Sequence, residues 1–207
     1  MIRRLSLAAF LLLSVAPLVA QTPPGWRLRI DRSTSASDPD AAGAIKFTTL
    51  GSGFHAINPQ AAVYWNPANT VSGNFTLKGT FTLQRPSSHT NYYGLVFGGS
   101  SLEGAGQDYT YFMVAQDGTW LLKRRAGNGT QEVAGRTLNA AVKRPGAGGM
   151  SVNALEVRVT GDKIDYAVNG AVVYSTPKSG VKTDGIYGFR VNHQLDVTVD
   201  GFGISKS

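Results

Sequence analysis

Hydrophobic and polar residues alternate with a period of two through most of this chain, most cleanly between residues 153 and 205. Leu155, Val157 and Val159 share one parity while Glu156, Arg158 and Thr160 take the other, the pattern of an antiparallel strand with one face in a core and one in water. Gly161 and Asp162 reverse the chain into a second strand with Ile164, Tyr166 and Val168 inward. Asn169 and Gly170 then supply the positive-φ pair of a two-residue hairpin, and residues 171–174 form the return strand. Residues 185–192 and 195–202 repeat the alternation. In the first of these, Tyr187, Phe189 and Val191 are expected to face the core, leaving Gly188, Arg190 and Asn192 on the opposite face.

The upstream half is less regular. Trp26, Leu28 and Ile30 alternate with Arg27, Arg29 and Asp31, giving a first strand expected to pair near the C-terminal strand and close an open edge. Residues 45–50, 54–57 and 62–65 predict three short strands, the third ending at Asn66 and Pro67. Phe75, Leu77, Phe81 and Leu83 then fall on one side of a long strand in which Gly79 interrupts the apolar row and predicts a bend or bulge. No helix of ordinary length is expected; residues 138–142 make at most one turn. The chain is therefore all-β, and its strand spacing predicts two packed antiparallel sheets.

The order of these pieces carries a resemblance. Asn153, Leu155, Val157, Gly161, Ile164, Val168, Asn169, Gly170 and Val173, followed by Gly185, Gly188, Val197, Asp200, Phe202 and Ile204, resemble the C-terminal half of concanavalin A-like (lectin/glucanase, laminin-G-like) jelly-roll sandwiches. The segment from Tyr93 to Arg125 extends the likeness to roughly residues 73–205. Within that superfamily the pattern is most similar to secreted bacterial domains of the 3-keto-disaccharide hydrolase family. The resemblance implies a jelly-roll sandwich of two antiparallel sheets, a carbohydrate partner, and hydrolysis of a keto-disaccharide or other glycoside as one activity to test. A scaffold of this kind hosts many functions, so the activity has to be argued from a site.

The two ends of the chain change the picture. Arg3 and Arg4, the apolar residues 5–19 and the small Ala20 read as a secretory signal over residues 1–20, leaving residues 21–207 as a single domain that is secreted or periplasmic. The apolar run is too short to favour a membrane span. The absence of cysteine excludes a disulfide framework, a thiolate metal site and a cysteine nucleophile. Of the 20 basic residues two lie in the leader, and the remainder still outnumber the 13 acidic ones. That balance suits attraction to anionic polymers or envelope surfaces, but without a dense Lys/Arg run nucleic acid is not an expected partner.

Candidate chemistry is sparse. Only three glutamates occur, Glu103, Glu132 and Glu156, and none sits in an E-x-D-x-x-E pattern. Glycosidases use two carboxylates; Glu103 with Asp108, both within the loop 100–108, is the best available pair. His55, His89 and His193 are scattered without an i,i+4 pair, so no metal site is read from the sequence. Asp31, Asp38 and Asp40 lack the spacing of a calcium loop, so no cofactor is implied and structural calcium is unsupported.

What remains is a surface suited to sugar, in which aromatic faces cover apolar C–H patches and planar polar groups pair hydroxyls. The candidates are Tyr92, Tyr109, Tyr111 and Trp120 with Lys123, although alternation cannot put all of them on one face. Tyr93 shares parity with Leu95 and Phe97 and is expected in the core, whereas Gly94 beside Tyr92 leaves room for a ligand or a neighbouring loop. A second candidate patch is Arg190 and Asn192 with His193 at the strand end. The leading expectation is a carbohydrate-binding or glycan-processing accessory protein, with a glycoside hydrolase and a non-catalytic envelope interaction module as alternatives.

Overall fold

The computed structural model describes residues 22–206; the expected export segment over residues 1–20 lies outside them. The alternation folds into fourteen strands: β1 Arg27–Asp31, β2 Lys46–Leu50, β3 Gly53–Asn58, β4 Ala61–Val71, β5 Phe75–Arg85, β6 Tyr92–Ser100 and β7 Asp108–Ala115. They continue as β8 Thr119–Ala126, β9 Gly129–Leu138, β10 Ser151–Thr160, β11 Lys163–Val168, β12 Ala171–Pro177, β13 Gly185–Val191 and β14 Leu195–Ser205. A single 3-10 turn over Lys178–Gly180 is the only helical element among the described residues. Seven strands in the order β1-β4-β13-β6-β7-β8-β9 form one sheet, and seven in the order β12-β11-β10-β5-β14-β3-β2 form the other. All pairings are antiparallel, and no helix of the described residues is long and apolar enough to cross a membrane.

The inward rows read from the sequence meet between the sheets. Leu155, Val157 and Val159 of β10 pack with Phe75, Leu77 and Phe81 of β5 and with Tyr93, Leu95 and Phe97 of β6, all fully buried. Phe189 stacks on Tyr64 with ring centroids 4.9 Å apart, and Trp26 lies 5.5 Å from it. Burial of each such side chain stabilises the fold by about 1.5–3 kcal/mol. The hairpin at the end of β11 is as expected: Val168 pairs with Ala171, and Asn169 and Gly170 have φ of 51° and 86°. Gly170→Val is expected to lower stability by about 1–3 kcal/mol through backbone strain, read from urea denaturation; an unchanged midpoint would contradict the turn.

Three expectations are corrected. β1 pairs with β4 and not with the C-terminal strand, because Trp26 and Leu28 pack into the core at the edge of the first sheet while β14 runs inside the second, between β5 and β3. β4 does not stop at Asn66 and Pro67 but runs to Val71. Its pairing with β13 skips from Trp65–Gly188 to Thr70–Ile186, so Pro67 sits in the irregular stretch where no ladder N–H is required. The bulge expected at Gly79 lies on the partner strand: β14 shifts register between Asp200 and Gly203 opposite Thr80 and Lys78, and Phe81 and Phe202 close over the space that a side chain at Gly79 would take.

Candidate functional site

The register of β13 places Arg190 opposite Val63 of β4 and Gly94 of β6, on the outward face of the first sheet. That face is not open. Val63, Trp65, Val96, Tyr109, Met113 and Leu121 form a second buried cluster, with Leu102 of the loop before β7 packed into it, and Arg29 Nη1 pins this loop by donating to the Gly104 carbonyl at 2.9 Å. Arg190 is consequently buried, its side chain only 13% exposed. It forms an ion pair with Asp31 of β1, itself 9% exposed. Arg190 Nη1 also donates to the Tyr109 hydroxyl at 3.0 Å, and Nε donates to Asn192 Oδ1 at 3.2 Å. The guanidinium lies 5.7 Å from the centre of the Tyr111 ring, within range of a cation–π contact.

These partners decide the protonation states. Burial alone would lower the Arg190 pKa, but Tyr109, Asp31 and Tyr111 around it reverse the sign and push it up. Burial raises the Tyr109 hydroxyl to about 12, against the opposing pull of the Arg190 charge. The arrangement is a fixed cation hydrogen-bonded to Tyr109, ion-paired with Asp31 and packed near the Tyr111 ring.

Beyond Arg190 a cleft of about 720 Å³ opens, walled by Arg29, Asp31, Arg32, Arg125, Asn128 and Asn192, with His193 at its edge. Four guanidinium groups therefore share one lining carboxylate, since Arg190 is also in the wall. Asp31 serves Arg190 and stands 3.7 Å from Arg29. Among the described residues Arg32 and Arg125 have no ion-pair partner; Arg125 is held by donating from Nε to the Gly127 carbonyl at 2.9 Å. Cationic walls of this kind concentrate anions, and guanidinium groups bind carboxylate or sulfate in bidentate fashion.

His193 links this cleft to a second cluster. Its Nε2 lies 3.1 Å from His89 Nε2 and 2.9 Å from Asp38 Oδ1, and His89 Nε2 is 2.6 Å from the same oxygen. Asp40 Oδ1 stands 3.2 Å from His193 Nδ1 without an aligned hydrogen bond. The side chain of His193 is 7% exposed and that of His89 36%. The β5–β6 connection brings in His89, the β13–β14 turn brings in His193 and the loop after β1 brings in Asp38. Asp31, Asp38 and Asp40 do not converge as an oxygen cage: the first serves Arg190, the second the histidines, and the third accepts from the Ser33 amide at 3.0 Å.

A scan against protein-family models and a search of curated proteins each returned no match. Among solved structures, the carbohydrate binding module CBM66 from Bacillus subtilis superposes with a TM-score of 0.63 at 11% identity, covering 92% of this chain and 100% of the module. The VIP36 exoplasmic/lumenal domain, in a form bound to Ca2+ and Man3GlcNAc, gives 0.58 at 7% identity over 89% of this chain and 84% of that one. The carbohydrate recognition domain of Emp46p gives 0.54 at 12% identity over 87% and 88%. The chain has a concanavalin A-like fold. At these identities the likeness establishes the architecture, a jelly-roll sandwich, and leaves the site to be argued from this chain's own residues.

On the concanavalin A-like frame the sequence-derived candidates separate into two groups. Tyr109, Tyr111, Arg190, Asn192 and His193 come together at the cleft end of the outward face. Tyr92 lies on the same face but is buried, with its hydroxyl 2.9 Å from Thr119 Oγ1. Lys123 shares that face, near its edge, and is paired with Glu132 at 3.3 Å. Trp120 takes the other parity and is turned into the core, 5.3 Å from Tyr174 and 6.1 Å from Phe112, so it is a packing residue and no sugar platform. Glu103 is exposed and pairs with Arg27, whereas Asp108 accepts from Arg124 Nε at 2.8 Å and Nη2 at 2.9 Å. The Arg124 hydrogen bonds hold the Asp108 carboxyl below its ordinary range, which disfavours it as a proton donor.

Two corrections concern glycines. The space beside Gly94 is not room for a ligand, and Gly188 on the same face is no bare patch of backbone: a Cβ at Gly188 would stand 2.1 Å from the Tyr64 carbonyl oxygen, and one at Gly94 2.3 Å from that of Phe112. Neighbouring backbone fills both spaces. Alternation gives no sign that Arg29, Arg32, Arg125 and Asn128 meet at one site, although Arg29 and Asp31 stand on the polar parity of the first strand.

Proposed function

We propose that this protein is a secreted or periplasmic carbohydrate-binding β-sandwich whose ligand is an acidic sugar, held in the cleft beyond Arg190. The observation that carries the reading is the cleft wall itself, where four arginines share one aspartate and Arg32 and Arg125 carry no ion-pair partner among the described residues. Asn128 and Asn192 add amide groups of the planar kind that pair sugar hydroxyls. The similarity to a carbohydrate binding module, to a carbohydrate recognition domain and to a lumenal domain bound to Man3GlcNAc supports the same class of ligand. Binding takes precedence over hydrolysis in this reading because Glu103 and Asp108 are each matched to a basic partner, Arg27 and Arg124, and a carboxyl held ionised by an arginine is poorly suited to donate a proton.

Titration calorimetry against matched neutral and uronic-acid oligosaccharides tests the reading. The acidic series is expected to bind and to weaken as salt is raised. Arg125→Ala is expected to lower affinity by about 1.5–3 kcal/mol, the worth of a hydrogen bond to a charged group, with thermal unfolding nearly unchanged because Arg125 bonds only to its own turn and the adjacent strand. Equal affinity for both series, or an Arg125→Ala variant that binds as well as the parent, would remove the cleft from the binding function.

A further inference from the structure

We propose that Asp38, His89 and His193 form a binding site for a borderline divalent transition ion such as Zn2+, a site independent of the carbohydrate reading. Three donor atoms from three separated connections, Asp38 Oδ1 and the Nε2 atoms of both histidines, point at one another across 2.6, 2.9 and 3.1 Å. Two ligands of a tetrahedral zinc ion, each at 2.0–2.2 Å from it, stand about 3.3 Å apart. The three atoms therefore need to spread by about 0.2–0.7 Å to admit an ion at their centre. Two Nε2 atoms this close, both against a single carboxylate oxygen, are a strained arrangement for hydrogen bonding alone, because each neutral imidazole has one donor and one acceptor to place.

The surroundings supply the rest of a metal site. A ligating imidazole ordinarily donates its other N–H to a carboxylate, which fixes its tautomer and orientation. Asp40 Oδ1 occupies that position for His193, 3.2 Å from Nδ1 and otherwise without a hydrogen-bond partner. A small rotation of the ring on capturing an ion aligns this bond and satisfies the buried oxygen. For His89 the other nitrogen, Nδ1, stands 3.3 Å from Ser88 Oγ. A side-chain amide, Asn91, lies 2.9 Å from His89 Nε2 and would offer its oxygen as a fourth donor after an amide flip; otherwise the fourth position is open to solvent at the edge of the arginine cleft. Two imidazoles and one carboxylate select zinc, cobalt, nickel or copper over calcium and magnesium, which take oxygen ligands.

The test uses the purified, metal-stripped protein with Zn2+ and Co2+ themselves. One equivalent of Zn2+ is expected by calorimetry, and Co2+ is expected to give the visible absorption of a low-symmetry four-coordinate ion that Zn2+ then bleaches. Asp40→Asn, which keeps the shape of the second carboxylate and removes its charge, is expected to weaken binding about 10–100-fold. His89→Ala, at the more exposed ligand, is expected to weaken it at least as far, with circular dichroism confirming that the sandwich persists. Absence of binding by the parent protein would overturn the site, as would an affinity left unchanged by His89→Ala, which would put the ion elsewhere. Because sugar titrations in chelator report on the cleft alone, loss of the metal site leaves the carbohydrate reading standing, and the reverse holds as well.

Discussion

Arg190→Ala is expected to lower the stability of the fold by about 3–5 kcal/mol. The cost comes chiefly from what the substitution leaves behind. Asp31 is only 9% exposed and keeps only the longer contacts with Arg29 at 3.7 Å and the Tyr109 hydroxyl at 3.4 Å, while the Tyr109 hydroxyl loses the donor that orders it. Read from the alternation alone, the same substitution should leave folding almost intact, since Arg190 falls on the polar parity of β13. The loop carrying Leu102 and Gly104, together with β1, covers that parity and converts an outward residue into a buried one. The mechanism predicts its own rescue. Replacing both partners, Arg190→Met with Asp31→Leu, removes the unpaired charge and should recover most of the loss, because well-packed apolar pairs substitute for buried ion pairs without penalty. Urea denaturation of the parent, both single variants and the double variant measures the cycle. A loss under about 1 kcal/mol in Arg190→Ala, the range of exposed pairs, would show that the network is solvated.

Gly188→Ala is expected to cost about 3 kcal/mol or more, the upper end for overpacking, although it adds a single methyl group. The new Cβ would lie 2.1 Å from the Tyr64 carbonyl oxygen and 3.2 Å from Trp65 Cβ. The first of these is backbone of a paired strand and cannot rotate away. To accommodate it, β13 must separate from β4 where Phe189 stacks on Tyr64 and Arg190 reaches Asp31, so the core and the outward network loosen together. A thermal scan would show the transition moved down by several degrees at least. Gly170→Ala serves as the control, since nothing lies within 4 Å of its Cβ position and only the φ of 86° penalises it. Should Gly188→Ala melt no lower than Gly170→Ala, the close approach of β13 to β4 would be refuted.

The contrast between these two glycines shows where sequence reasoning holds and where it ends. Gly170 was legible because a two-residue hairpin is a local object: Asn169, Gly170 and the flanking apolar rows are contiguous, and turn geometry determines the backbone they need. The inward rows of β5, β6, β10, β11 and β13 were legible for the same reason, since successive side chains of a strand alternate faces whatever the partner strand is. From those rows follow an all-β class, two sheets, and a core containing Tyr93, Phe189 and Val191. Alternation also put Arg190 on the outward parity, but it left Tyr109, Tyr111 and Trp120 ambiguous alike, with core packing the safer reading for all three, because the aromatic positions of β7 and β8 do not reveal which parity faces the other sheet.

Everything that depends on which strands are neighbours was decided by the tertiary structure. Strand pairing is a long-range choice governed by the packing of whole sheets, so neither the β1–β4 pairing nor the backbone that fills the spaces beside Gly94 and Gly188 is written in a local pattern. The site is the extreme case. Asp31 and Arg190 are 159 residues apart, and His193 lies 104 residues from His89 and 155 from Asp38. Charged and ligating residues carry no periodic signal of their own, whereas apolar rows do, because burial acts on every second residue of a strand and ion pairing acts on one. The sequence by itself therefore determined the sandwich and its inward faces, and only the folded chain determined that four arginines share one cleft and that two histidines meet an aspartate at its edge.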